Sequence, residues 1–363
     1  MTSSSSVARG IRILFFAGLL AVLPRGALSA VAQKDPPQDA AVVRLGAVEG
    51  SRIGFVKGLG SMATGIQKGS GGRLKVELLT GGATGTEADL LKDIIQGRLQ
   101  GGFVSATIMA HSLPAFRMLL LPRLFNDYAQ VAKFTGSALD HSLRQTASRK
   151  QLQVLGYASY GFYGLLDFSR ASPRILTDLM VRVPKDAWLE RAYQAMGFTA
   201  HYVPADDLST ALGSQWVTGV AATPEMLANT SLPKQAPRFH ATRHLHGWTV
   251  LVVNLPWLEG LPDDLRKVVT DAGVGVTRSA LGQAQTREEQ ILAQWSQTGS
   301  PVVIPPPTPS DEPPDPALRA LIQEETPAIE QALQQQQGLL IQLWDQRQDQ
   351  PPIPAPLSSQ PLP

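Results

Sequence analysis

Strands and helices alternate in the first third of the chain, and this order constrains the fold more than any other feature. Three short apolar stretches, 42–46, 74–79 and 101–106, predict strands. Segments 54–68 and 86–96, which lie between them, carry apolar residues at helical spacing. Because parallel strands need a crossover connection, this order predicts an α/β domain with a largely parallel sheet.

Ligands of open α/β sheets bind beyond the carboxyl ends of the strands. In this chain the loops after the three predicted strands lie around Glu49, at 82–87 and at 105–107. The sequence therefore places Glu49, Glu87 and Thr107 on one rim as candidate ligand contacts. Thr107 is expected in a loop that continues to His111.

A second series of strands and helices follows and predicts a second α/β lobe. It contains a strand at 179–183, a helix at 187–196, a strand at 199–203 and the start of a helix at 206–212, and residues 219–224 end the unit. A helix at 128–149 and a strand at 152–157 are predicted before it. The apolar run 247–254 is the strongest strand of the sequence, and a long helix is predicted from 263 to about 297.

The C-terminal part is rich in proline and glutamine. Segment 305–316 contains seven prolines in twelve residues and is predicted to be extended. Residues 317–344 are predicted to be helical with an interruption at Pro327. We expect residues 345–363 to form a disordered tail.

The N-terminus has the pattern of a secretory signal peptide over residues 1–32. Arg9 and Arg12 precede the apolar run 13–22, and Ala30-Val31-Ala32 offers a small-x-small cleavage site. The apolar core is too short to span a bilayer, although an uncleaved anchor is the alternative. Removing the three arginines of this segment changes the formal net charge from +2 to −1. A near-neutral mature chain gives no argument for binding nucleic acid or an anionic membrane.

The sequence contains no cysteine. An exported chain of this composition has neither disulfides nor cysteine metal sites, so its core alone must stabilise it. A lipid anchor on a cysteine is also excluded. We therefore expect a soluble, non-lipidated protein in the periplasm or outside the cell.

Arg182 lies inside a short apolar run, 179–183, that predicts a strand buried on both faces and ended by Pro184. A buried guanidinium needs an anionic partner, because its desolvation is otherwise too costly. That partner is either an internal carboxylate or the carboxylate of a bound ligand, which the planar guanidinium suits. The local sequence leaves both readings open.

The histidines allow a metal site as an alternative. His244 and His246 alternate around Leu245, so they can share a strand face, and His201 or His240 could complete a site. No acidic ligand is close in sequence, and surface or ligand-lining histidines are the favoured interpretation. We expect no metal and no cofactor.

Two further patterns suggest chemistry only weakly. The glycine-rich turn 81–85 resembles a phosphate loop, but no Gly-Lys-Ser/Thr follows it. Asp206 and Asp207 could be a carboxylate pair of a hydrolase, yet helix capping explains them better. Because Gly-x-Ser-x-Gly is absent as well, we do not expect an enzyme.

Taken together, residues 41–340 resemble the solute-binding receptors of tripartite ATP-independent periplasmic (TRAP) transporters, of the dicarboxylate-receptor type. The resemblance is carried by the order and spacing of several short motifs, none decisive alone. They are GRLKVEL at 72–78, LPRLFNDY at 121–128, VLGY at 154–157 followed by Gly161-Phe162, DLMVRVP at 178–184, TAL at 210–212, NLPW at 254–257 and LPDDL at 261–265.

This resemblance implies a two-lobed periplasmic binding protein fold with a crossing-strand hinge and a long helix spanning both lobes. Such receptors close around a ligand in the cleft between the lobes. We expect lobe I to comprise 33–158 and 249–285, and lobe II to comprise 159–248 and 286–344. The expected protein is a monomer that delivers a small organic acid to the membrane permease subunits of a TRAP transporter.

The resemblance also implies a role for Arg182, since the matching arginine typically pairs with the substrate carboxylate. Two departures change the expected ligand. Many relatives carry a second arginine where this chain has Tyr163, and a polar Gln-Glu-Asn stretch where it has Ala221, Ala222 and Thr223.

A dicarboxylate would therefore lack its second cation, and we expect a monocarboxylate with an apolar body. The side chains proposed to pack on that body are Phe162, Tyr163, Trp188 and Trp248, although about half of the aromatic residues are expected to be core. The proline-rich segments also suggest a receptor-like protein that is not coupled to a permease.

Overall fold

The computed structural model describes residues 40–50, 52–204, 206–305, 316–333 and 339–348. The predicted signal peptide, most of the proline-rich segment and most of the predicted tail lie outside these residues. Within the described part, no helix has the length and apolar character needed to cross a membrane.

The described strands form two sheets. The strands are β1 (Ala41–Gly46), β2 (Leu74–Leu79), β3 (Gly101–Ser105), β4 (Leu152–Phe162), β5 (Gly164–Asp167), β6 (Met180–Val183), β7 (Thr199–Tyr202), β8 (Gly219–Ala222), β9 (Arg238–His240), β10 (His246–Asn254) and β11 (Val302–Ile304). The first sheet has the order β2-β1-β3-β10-β4, and the second has the order β11-β9-β5-β8-β6-β7.

The described helices connect and cover these strands. They are α1 (Gly54–Gly69), α2 (Glu87–Ile95), α3 (Ala106–Ser112), α4 (Tyr128–Phe134), α5 (Ala138–Ser148), α6 (Ala187–Ala195), α7 (Leu208–Gly213), α8 (Pro224–Ala228), α9 (Leu255–Glu259), α10 (Asp263–Thr298), α11 (Pro316–Leu333) and α12 (Leu339–Gln348).

In the first sheet, β1 pairs in parallel with β2 and β3, as the alternating sequence predicted. β10 is antiparallel to both β3 and β4, so the sheet is mixed and not largely parallel. The carboxyl ends of β1, β2 and β3 still meet at one edge, because parallel neighbours run in the same direction. This edge is the rim expected to hold ligand contacts.

The chain crosses between the sheets at two adjacent places. β4 of the first sheet leads through Tyr163 into β5 of the second, and residues 241–245 lead from β9 back to β10. The Tyr163 N–H donates to the Leu245 carbonyl at 2.8 Å, so the two crossing segments are joined by a hydrogen bond. The two sheets are thus the centres of two lobes connected side by side.

Helix α10 is the third connection. It has 36 residues, which corresponds to roughly 54 Å at the rise of an α-helix. Leu265 and Val269 near its start pack in the core of the first sheet, and Trp295 near its end packs on Phe239 of the second. The helix therefore spans both lobes, as expected.

The C-terminal helices pack mainly on the first lobe, although the expected boundaries assigned residues 286–344 to lobe II. Leu318 and Ile322 of α11 join the core cluster that contains Val154 and Val250. The indole N–H of Trp344 in α12 donates to the Pro122 carbonyl at 2.6 Å. The family resemblance did not indicate this placement.

Several predicted elements need correction. Residues 107–111 are not a loop, because Ser105 caps α3 through its hydroxyl. The predicted helix 128–149 is two helices, since Gly136 adopts φ of 85° between them. Pro327 lies inside α11 and does not interrupt it. Residues 345–348 belong to α12 and not to the predicted tail.

The strand around Arg182 also differs from its prediction. β6 begins at Met180, after a 3-10 turn at Leu176–Asp178, and its burial alternates along the strand. Val181 and Val183 are buried, whereas Arg182 is partly accessible. Arg182 therefore lies on a half-open face of the sheet and not in a strand buried on both faces.

Candidate functional site

The rim of the first sheet holds two carboxylates. Glu49 follows β1, and Glu87 is the first residue of α2, which Thr86 begins with a capping box shared with Asp89. The Glu87 carboxylate accepts hydrogen bonds from the N–H of Ser105, at 2.6 Å, and from its hydroxyl, at 2.7 Å. Glu87 is thus fixed against the end of the neighbouring strand.

Glu49 is held from the opposite side. Its Oε1 accepts a hydrogen bond from the hydroxyl of Tyr160 on β4. Its Oε2 is buried and has no hydrogen-bond partner among the described residues. Burial raises the pKa of Glu49, and the Tyr160 hydrogen bond opposes that effect.

The two carboxylates interact with each other. Burial, reinforced by the charge of Glu49, raises the pKa of Glu87 from 4.5 to about 7, against the hydrogen bonds from Ser105. Within the described part of the chain, neither carboxylate forms an ion pair with a lysine, arginine or histidine. The rim is therefore a partly buried acidic site without a cation.

Tyr163 connects this rim to the second lobe. It lies at the first crossing, and its phenol is within electrostatic range of both Arg182 and Glu87. Burial raises the pKa of Tyr163 to about 12, with the charge of Arg182 opposing and that of Glu87 adding to the effect. Its hydroxyl thus stays protonated and can donate a hydrogen bond at neutral pH.

Arg182 is the cation of the site. Its Nε donates to the Val203 carbonyl at 3.1 Å, and burial lowers the pKa of its guanidinium while Tyr163 and Tyr202 oppose that shift. No carboxylate among the described residues pairs with Arg182. The guanidinium thus keeps most of its donors for another acceptor.

Among the predicted site residues, Glu49 interacts with Glu87, and Tyr163 interacts electrostatically with both Glu87 and Arg182. Sequence patterns predicted no ligand role for Tyr160, Ser105 or Tyr202. Tyr160 and Ser105 donate to the two glutamates, and Tyr202 interacts electrostatically with Arg182. His201 pairs with Arg182 in register and stacks on Trp216, with ring centroids 5.7 Å apart. These residues lie in ordinary strand and turn patterns, so only their contacts distinguish them.

The structure places the other predicted contacts elsewhere. Phe162 packs on Tyr128 and His246, and Trp248 packs on Phe125, Phe134 and Tyr157 in the core of the first lobe. Neither of the two makes a ring contact with Tyr160 or Tyr163 among the described residues. Trp188 is buried at the start of α6, with no partner for its indole N–H within the same residues.

The three predicted contacts with small side chains lie at a strand end or at the start of a helix. Ala222 ends β8 opposite Gly164, next to Tyr163. Thr223 is fully buried and caps α8, where its hydroxyl accepts from the Met226 N–H at 3.3 Å. Thr107 lies in the first turn of α3, two residues after the Ser105 cap.

The histidines of the alternative metal site have protein partners. His244 bonds the Tyr193 hydroxyl and the Thr242 hydroxyl, both at 2.6 Å, and burial lowers its pKa to about 3. His246 bonds Ser159 at 2.9 Å. In the described residues no group of three or more potential ligands is placed to hold a metal ion.

The predicted capping role of the paired aspartates is correct in the position of Asp207 but not in its hydrogen bonding. Asp207 occupies the N-cap position of α7, but its side chain accepts no capping hydrogen bond. The two acids therefore act on the helix at most through its dipole.

Two α/β lobes joined by crossing strands and a long helix, with charges of both signs at the junction, define a two-lobed binding protein. The chain belongs to family 7 of the bacterial extracellular solute-binding proteins, because the model of that family matches residues 47–326. The proteins of this family are binding proteins, and the predicted TRAP-receptor resemblance is confirmed.

Two curated relatives match part of the chain. A solute-binding protein of Verminephrobacter eiseniae is 22% identical over 57% of this chain and 62% of its own length. The C4-dicarboxylate-binding periplasmic protein DctP of Rhodobacter capsulatus is 25% identical over 51% of this chain and 56% of its own length. The chain thus spans about three fifths of the length of these relatives.

The fold is shared with solved structures. A TRAP periplasmic solute-binding protein from Sulfitobacter, bound to β-D-galacturonate, has a TM-score of 0.72 at 19% identity, covering 84% of this chain and 99% of that one. The predicted α/β fold with two lobes is therefore confirmed.

Proposed function

We propose that this protein is an extracytoplasmic receptor that binds a small organic acid between its lobes, with the ligand carboxylate on Arg182. The observation that carries the proposal is a partly buried guanidinium that pairs with no carboxylate of the described residues. A desolvated cation of this kind requires an anion, and a bidentate carboxylate matches the guanidinium best.

The location of the proposed site fits a closing cleft. Tyr163 lies on the crossing segment between the lobes, within electrostatic range of Arg182 on one side and Glu87 on the other. A ligand that contacts both walls would be bound more tightly when the lobes are together, which is how hinged binding proteins couple binding to closure.

A monocarboxylate suits this site better than a dicarboxylate. A second carboxylate, directed away from Arg182, would meet the uncompensated carboxylates of Glu49 and Glu87, and like charges repel strongly in a partly buried site. The Sulfitobacter relative binds galacturonate, which has one carboxylate, and this supports the choice. Ala222, which lies opposite Gly164 next to Tyr163, is the proposed neighbour of the ligand body.

We further propose export through the predicted signal peptide, residence in the periplasm and delivery of the ligand to TRAP permease subunits. Membership in the extracellular solute-binding family supports export, and the match to a periplasmic relative supports the compartment. The absence of an enzyme activity belongs to the same proposal.

The variant Arg182→Ala tests the proposal. We expect it to lose binding of organic acids in calorimetry while its melting temperature stays within about 2 °C, because within the described residues the Arg182 side chain donates one hydrogen bond, to the Val203 carbonyl. Arg191→Ala is the matched control, since that exposed arginine pairs with Glu324 and Glu325 and should bind normally.

Retained binding by Arg182→Ala would contradict the proposed function. A loss of folding would instead show that the guanidinium has a structural role. Arg182→Lys keeps the positive charge but loses the planar guanidinium that can bind a carboxylate through two parallel hydrogen bonds. We expect this variant to bind the organic acid at least about tenfold more weakly, a difference of about 1.4 kcal/mol.

A further inference from the structure

Buried acids in this protein are generally compensated by arginine. Asp140 pairs with Arg144, Asp167 with Arg238, Glu225 with Arg287 and Glu288 with Arg243, at distances from 2.6 to 3.3 Å. These four acids lie on different elements of both lobes. At these four positions the fold supplies a cation for a carboxylate that is removed from water, as desolvation demands.

Glu49 and Glu87 depart from this pattern. Glu49 follows β1, and Glu87 begins α2 and is bonded to Ser105 at the end of β3, the parallel neighbour of β1. The two carboxylates interact with each other, and no cation of the described residues pairs with either. Hydrogen bonds from Tyr160 and Ser105 fix both side chains in place. Two positioned carboxylates without a counter-ion indicate that the missing cation comes from outside the chain.

One oxygen of the two carboxylates is left without a hydrogen-bond partner. Oε2 of Glu49 is buried and has no hydrogen-bond partner within the described part of the protein, while its Oε1 is occupied by Tyr160. Both oxygens of Glu87 accept from Ser105. Glu49 therefore has the free acceptor, and Glu87 contributes a second negative charge beside it.

We propose that the ligand of this receptor is an amino acid in the broad sense, with an ammonium group bound by Glu49 and Glu87 and its carboxylate bound by Arg182. This inference rests on the proposed function and names its substrate class. A hydroxyl group would satisfy Oε2 of Glu49 but would leave the charges uncompensated. An ammonium group supplies both the hydrogen bond and the cation.

The arrangement of charges agrees with such a ligand. The first lobe presents two carboxylates, and Tyr160, which donates to Glu49, lies three residues before Tyr163 at the crossing. The second lobe presents the guanidinium of Arg182 opposite Val220 on β8, the strand whose Ala222 faces Gly164 next to Tyr163. A zwitterion therefore meets an opposite charge at each end. A simple monocarboxylate meets an opposite charge at one end only.

Matched pairs of ligands that differ only in an ammonium or a hydroxyl group test the inference. Suitable pairs are L-alanine with L-lactate, L-phenylalanine with L-phenyllactate, β-alanine with 3-hydroxypropionate and 4-aminobutyrate with 4-hydroxybutyrate, with galacturonate as a polyhydroxy monocarboxylate. Thermal shift identifies the pair that binds, and calorimetry of the full chain measures both members. We expect the amino member to bind at least about tenfold more tightly.

The variants Glu49→Gln and Glu87→Gln keep shape and remove charge. We expect each to reduce the preference for the amino member about tenfold or more, with little change in the affinity for the hydroxy member. Glu77→Gln is the control, because Glu77 lies on β2 of the same lobe but is half-exposed and pairs with Arg44. If one glutamate variant does not fold, the other still measures the preference.

Proton release upon ligand binding provides a second test of the inference. An ammonium group beside Glu87 favours its ionised form, so binding near pH 7 should release protons, detected as a dependence of the calorimetric enthalpy on buffer. A hydroxy acid should release fewer.

Galacturonate or a hydroxy acid that binds as tightly as its amino counterpart would overturn the inference and leave the proposed function intact. Failure of every carboxylate in the panel to bind would overturn both. An amino preference that survives in both glutamate variants would refute the role of these two residues.

Discussion

Ser105 donates two hydrogen bonds to Glu87, from its backbone N–H at 2.6 Å and from its hydroxyl at 2.7 Å. Ser105 ends β3 and also caps α3, so one residue fixes the carboxylate and begins the next helix. Glu87 nevertheless keeps a raised pKa, because burial and the neighbouring Glu49 outweigh these hydrogen bonds. Position and charge state at this rim are thus set by different contacts.

The stability of the ligand-free protein should depend on pH through Glu87. Burial and Glu49 raise its pKa from 4.5 to about 7, so the folded protein binds this proton more tightly than the unfolded chain does. Stability from this group is present below about pH 4.5 and is lost as pH rises through about 7. We expect Glu87→Gln to flatten that decline in urea unfolding of the ligand-free protein. Identical slopes for wild type and variant would disprove the assignment, and Glu77→Gln should keep the wild-type slope.

Removal of the Tyr160 hydroxyl should affect both stability and binding. Tyr160→Phe takes away the hydrogen bond to Oε1 of Glu49 and leaves a partly buried carboxylate with both oxygens unsatisfied. We expect a loss of roughly 1–3 kcal/mol in the free energy of unfolding and weaker ligand binding. Tyr163→Phe is the stability control, since the Tyr163 hydroxyl has no hydrogen bond among the described residues. Equal stability of the two variants would contradict the prediction.

Two glycines of α10 should respond to alanine in opposite directions. A Cβ at Gly273 would lie 2.4 Å from Cδ1 of Leu155, whereas a Cβ at Gly275 meets nothing within 4 Å. Gly273→Ala should therefore destabilise the protein by about 1–3 kcal/mol, because α10 must move away from β4. Gly275→Ala should stabilise it by about 0.5–1 kcal/mol through helix propensity. Chemical denaturation of both variants gives the sign of each effect directly, and equal signs would be inconsistent with this packing.

Asp167 should be a major source of stability in the second lobe. Asp167 is fully buried. Burial alone would raise its pKa, but the interactions with His240, Arg238 and Ser169 outweigh burial and hold the pKa well below its usual range. The stability it contributes is present above about pH 3.8 and is lost as pH falls.

Asp167→Asn leaves Arg238 without its partner and should cost about 3–5 kcal/mol in unfolding at pH 7. Asp271→Asn is the control, because the Asp271–Lys267 pair is exposed and should matter little. A change of less than about 1 kcal/mol for Asp167→Asn would show that the pair is not structurally important.

Much of the element order was predictable from the sequence because each element has its own local pattern. The strand predicted at 74–79 coincides with β2, and the helix predicted at 54–68 differs from α1 by one residue. The helix α3 was missed because it is a seven-residue segment whose capping depends on Ser105. β4 extends to Phe162 because its pairing with β10 continues past the predicted strand end.

The sequence by itself determined the α/β class, the two-lobed organisation and the candidates Glu49, Glu87, Tyr163 and Arg182, since these follow from local periodicity, strand-end position and motif order. Only the tertiary structure decided which charges are compensated. Tyr160 reaches Glu49 across 111 positions of sequence. In the described part of the chain no carboxylate pairs with Arg182, although Asp178 and Asp186 flank its strand in the sequence. Periodicity is a property of neighbouring residues, whereas the pairing of charges depends on which side chains meet after folding.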